Sequence, residues 1–177
     1  MPEATLRDLQ QSDLDLLRHW RNHPDVRRYM YTRHEIGESE HRRWFERAHA
    51  DPARHLWLFE LCGRPAGFVN LTERGGGVAD WGFYLAPDAP RGSGWELGKL
   101  ALRRAFTSLG LSKVCGEALA YNERSIRFHV RLGFHEEGRL REQHDDGDDR
   151  HDVICFGLLR REWAGREGGA PDVDSPD

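Results

Sequence analysis

Arg91-Gly92-Ser93-Gly94-Trp95-Glu96-Leu97-Gly98 is the stretch on which the reading of this chain turns. Before it, Trp81-Gly82-Phe83-Tyr84-Leu85 is aromatic and apolar and predicts a strand, which Ala86-Pro87 ends. After it, Leu97, Leu100, Ala101, Ala105 and Leu109 recur at helical spacing, with Lys99, Arg103 and Arg104 on the other face. A glycine-rich turn therefore opens directly onto a helix N-terminus. There the first backbone N–H groups have no acceptor inside the helix, and the helix dipole is positive. Arg91 adds a cation, and Gly92 and Gly94 let an anion approach the backbone closely. A phosphate or pyrophosphate suits this arrangement; a tight connection with no ligand at all accounts for it equally well.

The 177 residues point to one domain, and 38% hydrophobic with 32% charged residues describes a soluble globular chain. A net charge of −4 argues against a nucleic-acid partner or an anionic membrane surface. No apolar run is long enough to span a bilayer, and Met1-Pro2-Glu3-Ala4-Thr5 lacks the pattern of a signal peptide. Cys62, Cys115 and Cys155 are isolated in strand-like runs, which suits reduced core residues rather than disulfides or zinc. A cytoplasmic location is the expectation.

Working outward, Thr5 to Leu9 alternates like a half-exposed strand, and Ser12 or Asp13 can cap a helix with Leu14, Leu17 and Trp20 inward. Pro24 interrupts it, a short helical segment follows to Tyr31, and Glu38 to Ala50 reads as an amphipathic helix with Ser39 as its cap. Leu56 to Leu61 and Ala66 to Leu71 flank the turn Cys62-Gly63-Arg64-Pro65 as a hairpin. Lys113 to Leu119 reads as a strand, Glu123 to Leu132 as a helix with Gly133 as its C-cap, and Phe134 to Gln143 and His151 to Leu159 as two final strands. Residues 165–177 have almost nothing to bury and read as a disordered tail behind a domain of residues 1–164.

Two motifs at this separation resemble those of the GNAT acyl-coenzyme A N-acetyltransferase superfamily. One is the strand, Arg91-Gly92-Ser93-Gly94, and the helix. The other is Asn122-Glu123-Arg124-Ser125-Ile126-Arg127-Phe128-His129-Val130-Arg131-Leu132-Gly133-Phe134, similar to the family's Asn-x-x-Ala/Ser and Tyr-x-x-x-Gly-Phe segment. The resemblance implies an α/β (α+β) fold: a mixed sheet of about seven strands, the fourth and fifth splayed, flanked by about four helices. A narrower similarity covers Trp20-Arg21-Asn22-His23-Pro24-Asp25-Val26-Arg27, Met30-Tyr31 and Ile36 to Phe45. It resembles the branch that acetylates the 4-amino group of a UDP-linked amino-dideoxy sugar in pseudaminic acid synthesis. Acetylation of ribosomal-protein N-termini or polyamines, or a non-catalytic acetyl-CoA-binding module, are the alternatives.

The resemblance implies acetyl-CoA as co-substrate and no metal. Its pantetheine would lie along Phe83, Tyr84 and Leu85, the last offering an N–H to the thioester carbonyl. Its pyrophosphate would lie on Arg91, Gly92, Ser93, Gly94 and Trp95, with Asn122 and Ser125 as further contacts. Glu117, near the end of the second splayed strand, is the expected general base, through a water. His129 stands where most of the family carries Tyr, and is the expected acid for the leaving thiolate, with Tyr121 as the alternative. For a sugar nucleotide, Arg21, Met30, Tyr31, His41, Trp44 and Trp81 supply cations and flat surfaces. Each also has a plainer reading: Asn122 as a helix cap, Trp20 and Trp44 as core, His129 as a packed helix histidine. The acidic run His144 to Asp152 reads as a hairpin tip rather than a metal site. The expected partner is a small-molecule sugar nucleotide, with no nucleic acid or membrane; a homodimer is left open.

Overall fold

A computed structural model describes residues 3–167. Seven strands lie among them: β1 (Ala4–Asp8), β2 (Arg54–Leu61), β3 (Arg64–Gly75), β4 (Val78–Leu85), β5 (Lys113–Leu119), β6 (His135–Asp145) and β7 (Arg150–Leu159). They form one sheet in the order β1-β2-β3-β4-β5-β7-β6. All neighbours are antiparallel except β4 and β5. The helices are α1 (Leu14–Asn22), α2 (Pro24–Arg27), α3 (Glu38–Ala50), α4 (Ser93–Arg103), α5 (Glu123–Leu132) and α6 (Arg160–Glu167). The short α2 and α6 account for the excess over the four expected.

Alternation along the central strands sorts their side chains onto two faces. Odd-numbered Trp57, Phe59, Val69, Leu71, Ala79 and Trp81 pack with Leu97, Ala101 and Leu102 of α4 and Leu132 of α5. Even-numbered Leu56, Leu58 and Phe68 pack with Leu14, Leu17 and Trp20 of α1 and Phe45 and Ala48 of α3. The two amphipathic helices read from the N-terminal sequence thus cover one face, and α4 and α5 the other.

Four details add to or depart from the sequence reading. The last hairpin enters the sheet with β7 against β5 and leaves β6 on the edge. The helix after the glycine turn widens to a π turn over Arg104–Ser108, and α3 begins after Gly37 with no side-chain cap, so Ser39 is not its N-cap. Helix α6 carries the chain past the expected boundary at 164 to Glu167, with Trp163 in the core. The rest of the tail, residues 168–177, lies outside the described residues. Among the described residues no helix is long and apolar enough to cross a membrane.

The site is positioned by a break in the pairing. β4 and β5 are joined only at Val78↔Lys113, Ala79↔Val114 and Asp80↔Cys115. Beyond that, β4 stays on β3 as far as Leu85 and β5 stays on β7 as far as Leu119. The sheet opens between them.

Candidate active site

Backbone polarity along the open edge follows from the ladder. The N–H of Ala86 donates to the carbonyl of Ala66 at 2.9 Å, so the antiparallel alternation turns Tyr84 and Gly82 toward β3 as well. Phe83 and Leu85 therefore point their N–H and C=O into the opening. This corrects one expected donor-site residue, because the backbone of Tyr84 is spent on β3. Its side chain lies on the α1/α3 face, with its ring centroid 5.4 Å from that of Phe68.

At the mouth of the opening, Gly92 takes φ +87° as the residue before α4, a left-handed conformation that a residue with a Cβ enters only under strain. The Ser93 hydroxyl donates to the Pro90 carbonyl at 2.6 Å and is almost wholly buried. Ser93 is therefore a brace for the turn rather than a side-chain ligand. Arg91 is exposed beside it, and Gly94 and Trp95 are half-buried in the first turn of α4. Asn122 accepts from the Ser125 N–H at 3.1 Å and caps α5, as its plainer reading had it. The resting structure also closes α5 through Gly133, at φ +98°.

The α5 side of the opening is solid. The indole N–H of Trp81 donates to His129 Nε2 at 3.1 Å, and His129 Nδ1 lies 2.8 Å from the Ser125 carbonyl. A carbonyl accepts only, so Nδ1 carries the proton and the imidazole is neutral with both nitrogens used. The ring is 1% exposed and stacked on Phe156 at 4.8 Å. Burial lowers its pKa to about 4, against the small opposing pull of the Ser125 carbonyl. Gly116 makes room for the pair: a Cβ there would stand 2.5 Å from His129 Nε2 and 2.7 Å from Trp81 Nε1. Two expectations are thereby corrected. His129 is not placed to protonate a thiolate, and Trp81 is a core residue on the face that α4 and α5 cover. Tyr121 does not replace His129, since its hydroxyl donates to the Arg28 carbonyl at 2.9 Å.

The opposite side is polar and accessible. Glu117 is exposed on β5, and Tyr31 donates its hydroxyl to Glu117 Oε2 at 2.6 Å. The phenol's pKa is pushed up, first by burial and then by this carboxylate. Asp80 on the same face is tied to Arg74, whereas the partner of Glu117 is a neutral hydroxyl. The segment carrying Tyr31 is fastened to the last hairpin. The Tyr31 ring lies 5.2 Å from that of His144, and Arg33 pairs with Asp146 at 3.0 Å. Asp146 is held well below the usual carboxylate range by the N–H groups of Asp149 and Asp148 and by His151. The acidic tip is thus a hydrogen-bonded turn, and among the described residues no cluster of three metal-ligating side chains is found.

Arg21 reaches this side from α1. Its Nη2 donates to the Thr32 carbonyl at 3.4 Å, while Nη1 is buried without a partner. Desolvation lowers its pKa, and the neighbouring Tyr84 is its strongest opposing influence. Trp44 is half-buried with its edge toward Phe68 at 6.0 Å. His41 stacks on it at 5.1 Å but is 6% exposed, so it backs Trp44 instead of meeting a ligand. Burial, reinforced by Arg18 and Arg21, keeps His41 below its ordinary pKa. Met30 is half-buried in the turn after α2. Asn70, with an unpartnered Oδ1 on the same face, was missed from the sequence. Its signal was a polar residue next to Ala66 and Phe68 on the even-numbered side of β3, in the middle of the strand.

Comparison with known proteins agrees with this geometry. Residues 4–135 match the family described as an acetyltransferase (GNAT) domain. The chain is 40% identical over 86 residues to the SPbeta prophage-derived uncharacterized N-acetyltransferase YokL of Bacillus subtilis, covering 47% of this chain and 49% of that protein. It is 26% identical over 130 residues to the acetyltransferase PseH of Campylobacter jejuni, covering 72% and 80%. It is 28% identical over 146 residues to the spermidine N(1)-acetyltransferase of Escherichia coli, covering 79% and 78%. The spermidine N-acetyltransferase of Vibrio cholerae, solved with CoA and spermine, superposes with a TM-score of 0.84 at 24% identity over 91% of this chain and 98% of that one. With an open β4–β5 edge, a glycine turn at its mouth and this family match over most of its length, the chain belongs to the GNAT acetyltransferases.

Proposed function

We propose that this protein transfers the acetyl group of acetyl-CoA to the primary amine of a small anionic acceptor, a UDP-linked amino-dideoxy sugar of the pseudaminic acid type. Acetyl-CoA supplies an activated acyl carbon and a thiolate leaving group. The open edge of β4, with the N–H and C=O of Phe83 and Leu85, suits the pantetheine arm, and the turn at Arg91 to Trp95 suits the pyrophosphate. Glu117 takes the proton that the amine loses as the C–N bond forms and the C–S bond breaks. Tyr31 holds that carboxylate in place. The departing sulfur takes its proton from solvent, since His129 and Tyr121 have theirs committed elsewhere.

The observation that carries the acceptor class is Arg21. Its guanidinium is half-buried, makes no ion pair among the described residues, and leaves Nη1 buried and unpaired. A half-buried cation with no counter-ion and one unpaired nitrogen is costly, and a phosphate oxygen supplies both the charge and the acceptor it lacks. The similarity at Trp20 to Phe45 and the match to PseH point the same way. A polyamine is the second reading, favoured by the exposed Glu117 and by the E. coli spermidine N(1)-acetyltransferase at 28% identity. Thiol release measured with a UDP-4-amino-4,6-dideoxy sugar and with spermidine separates the two. Turnover of the sugar nucleotide, with Arg21→Met raising its KM about tenfold or more, supports the first; turnover of spermidine alone replaces it with the second.

A further inference from the structure

Asn70 on β3 stands opposite Gly82 on β4. Continuing the β4–β5 register past its last pair, Asp80 with Cys115, brings Gly82 level with Glu117. One row across the sheet therefore runs Asn70, Gly82, Glu117, on the face that α1 and α3 cover in part. Its middle position has no side chain, and a Cβ there would meet no heavy atom within 4 Å. The amide of Asn70 makes no hydrogen bond among the described residues, and its Oδ1 is buried without a partner. A buried amide oxygen without a donor is a standing loss of stability unless a donor completes it.

The dimensions fit one small group. Neighbouring strands lie about 4.8 Å apart, so the backbones under Asn70 and Glu117 stand roughly 10 Å apart where the opening begins. Both side chains rise on the same face, and the bare position at Gly82 between them leaves room for one small group toward which they can lean. The χ2 torsion of an asparagine is broad, so a partial rotation of the amide brings the unpaired oxygen toward the space over Gly82. The α5 side of the opening is filled by aromatic rings.

We infer that Asn70 and Gly82 form the seat of the acceptor amine. The amine enters over Gly82, donates one N–H to the amide oxygen of Asn70 and presents the other to Glu117. This rests on the proposed acetyl transfer to a small amine, and it names the residues that hold that amine. Its chemical consequence is selectivity for a primary amine, since an N-methylated acceptor has one N–H too few to satisfy both sides.

The test compares wild type with Asn70→Leu, which is close in volume but forms no hydrogen bond, and Gly82→Val, which fills the slot. Melting temperature, acetyl-CoA affinity by calorimetry, and kcat/KM for a UDP-4-amino-4,6-dideoxy sugar, spermidine and a peptide N-terminus are measured. Both variants are expected to melt at or above wild type, because an unpaired amide is removed in one and strand propensity rises in the other. Acetyl-CoA affinity should stay within about twofold, while kcat/KM for the accepted amine falls about tenfold in N70L and about a hundredfold or more in G82V. Wild-type amine kinetics in both variants, or a parallel loss of acetyl-CoA affinity, would overturn the assignment while the acetyl transfer stands. A wild type that binds acetyl-CoA but acetylates none of the amines would remove the functional reading, and the seat with it.

Discussion

On the α5 side of the β4–β5 opening, the rings of Trp81, Phe83, Phe128, His129, Phe134 and Phe156 meet at centroid distances of 4.8 to 6.3 Å. On the other side, Tyr31 meets Glu117, and Asn70 stands opposite Gly82, a strand position with no side chain. Both sides border the same break in the sheet, and each carries one of the two residues expected from the sequence to move a proton. Burial decides what each can do. His129, surrounded by carbon, is kept neutral with its two nitrogens spent on Trp81 and Ser125. Glu117, at the surface and bonded to a single hydroxyl, still has an oxygen to offer. The opening is thus closed by rings on the α5 side and polar on the opposite face.

The comparison breaks most readily at Glu117. Replacing it with Gln is expected to lower kcat about a hundredfold or more, the usual scale for losing a general base, with acetyl-CoA affinity unchanged in calorimetry. A variant retaining more than about a tenth of the wild-type rate would mean that the polar side does not supply the base.

On the sealed side the expected effect falls on stability. His129→Phe leaves the Trp81 N–H without an acceptor in the core and should cost about 1–3 kcal/mol in denaturant unfolding. The pH profile of kcat/KM above about pH 6 should not change, because the imidazole is neutral there. A lost limb in that profile would return the acid role to His129. The same histidine makes the wild-type fold acid-sensitive. Its folded pKa of about 4 lies below the ordinary value of 6.5, so between those values the unfolded chain binds the extra proton. Stability is therefore full above that window and declines by about 3 kcal/mol as pH falls through it. Thermal melts from pH 7 down to 4 should show this decline in wild type and lose most of it in His129→Phe.

The smallest effect belongs to Tyr31. It is about half exposed and acts only by holding Glu117, so Tyr31→Phe should lower kcat by about three- to tenfold with little change in melting temperature. A loss equal to that of Glu117→Gln would make Tyr31 a partner in the chemistry instead of a support for it.

Much of the fold was legible locally. β5 and α5 occupy the residues read for them, and Asn122 and Gly133 end α5 as cap and C-cap. Propensity, apolar spacing and capping are properties of neighbouring residues, so a linear reading reaches them. The site was legible only in part. Gly92 and Arg91 sit where the strand–turn–helix pattern put them, and Glu117 lies beside the opening. Trp81 was expected as a substrate surface and Glu117 as the base, and alternation across a parallel pair sends the two to opposite faces. His129 was judged by the family residue it replaces, whereas its behaviour follows from the rings around it.

By itself the sequence determined that a strand, a glycine turn and a helix follow one another at Trp81 to Leu109, and that two amphipathic helices precede the hairpin, since periodicity and backbone preference act within a few residues. Only the tertiary structure decided which side of the opening is closed, which strand of the last hairpin lies inside the sheet, and that Tyr31 meets a carboxylate 86 residues away. Those outcomes depend on which surfaces exclude water when the chain packs, and that is a property of residues brought together from distant parts of the chain.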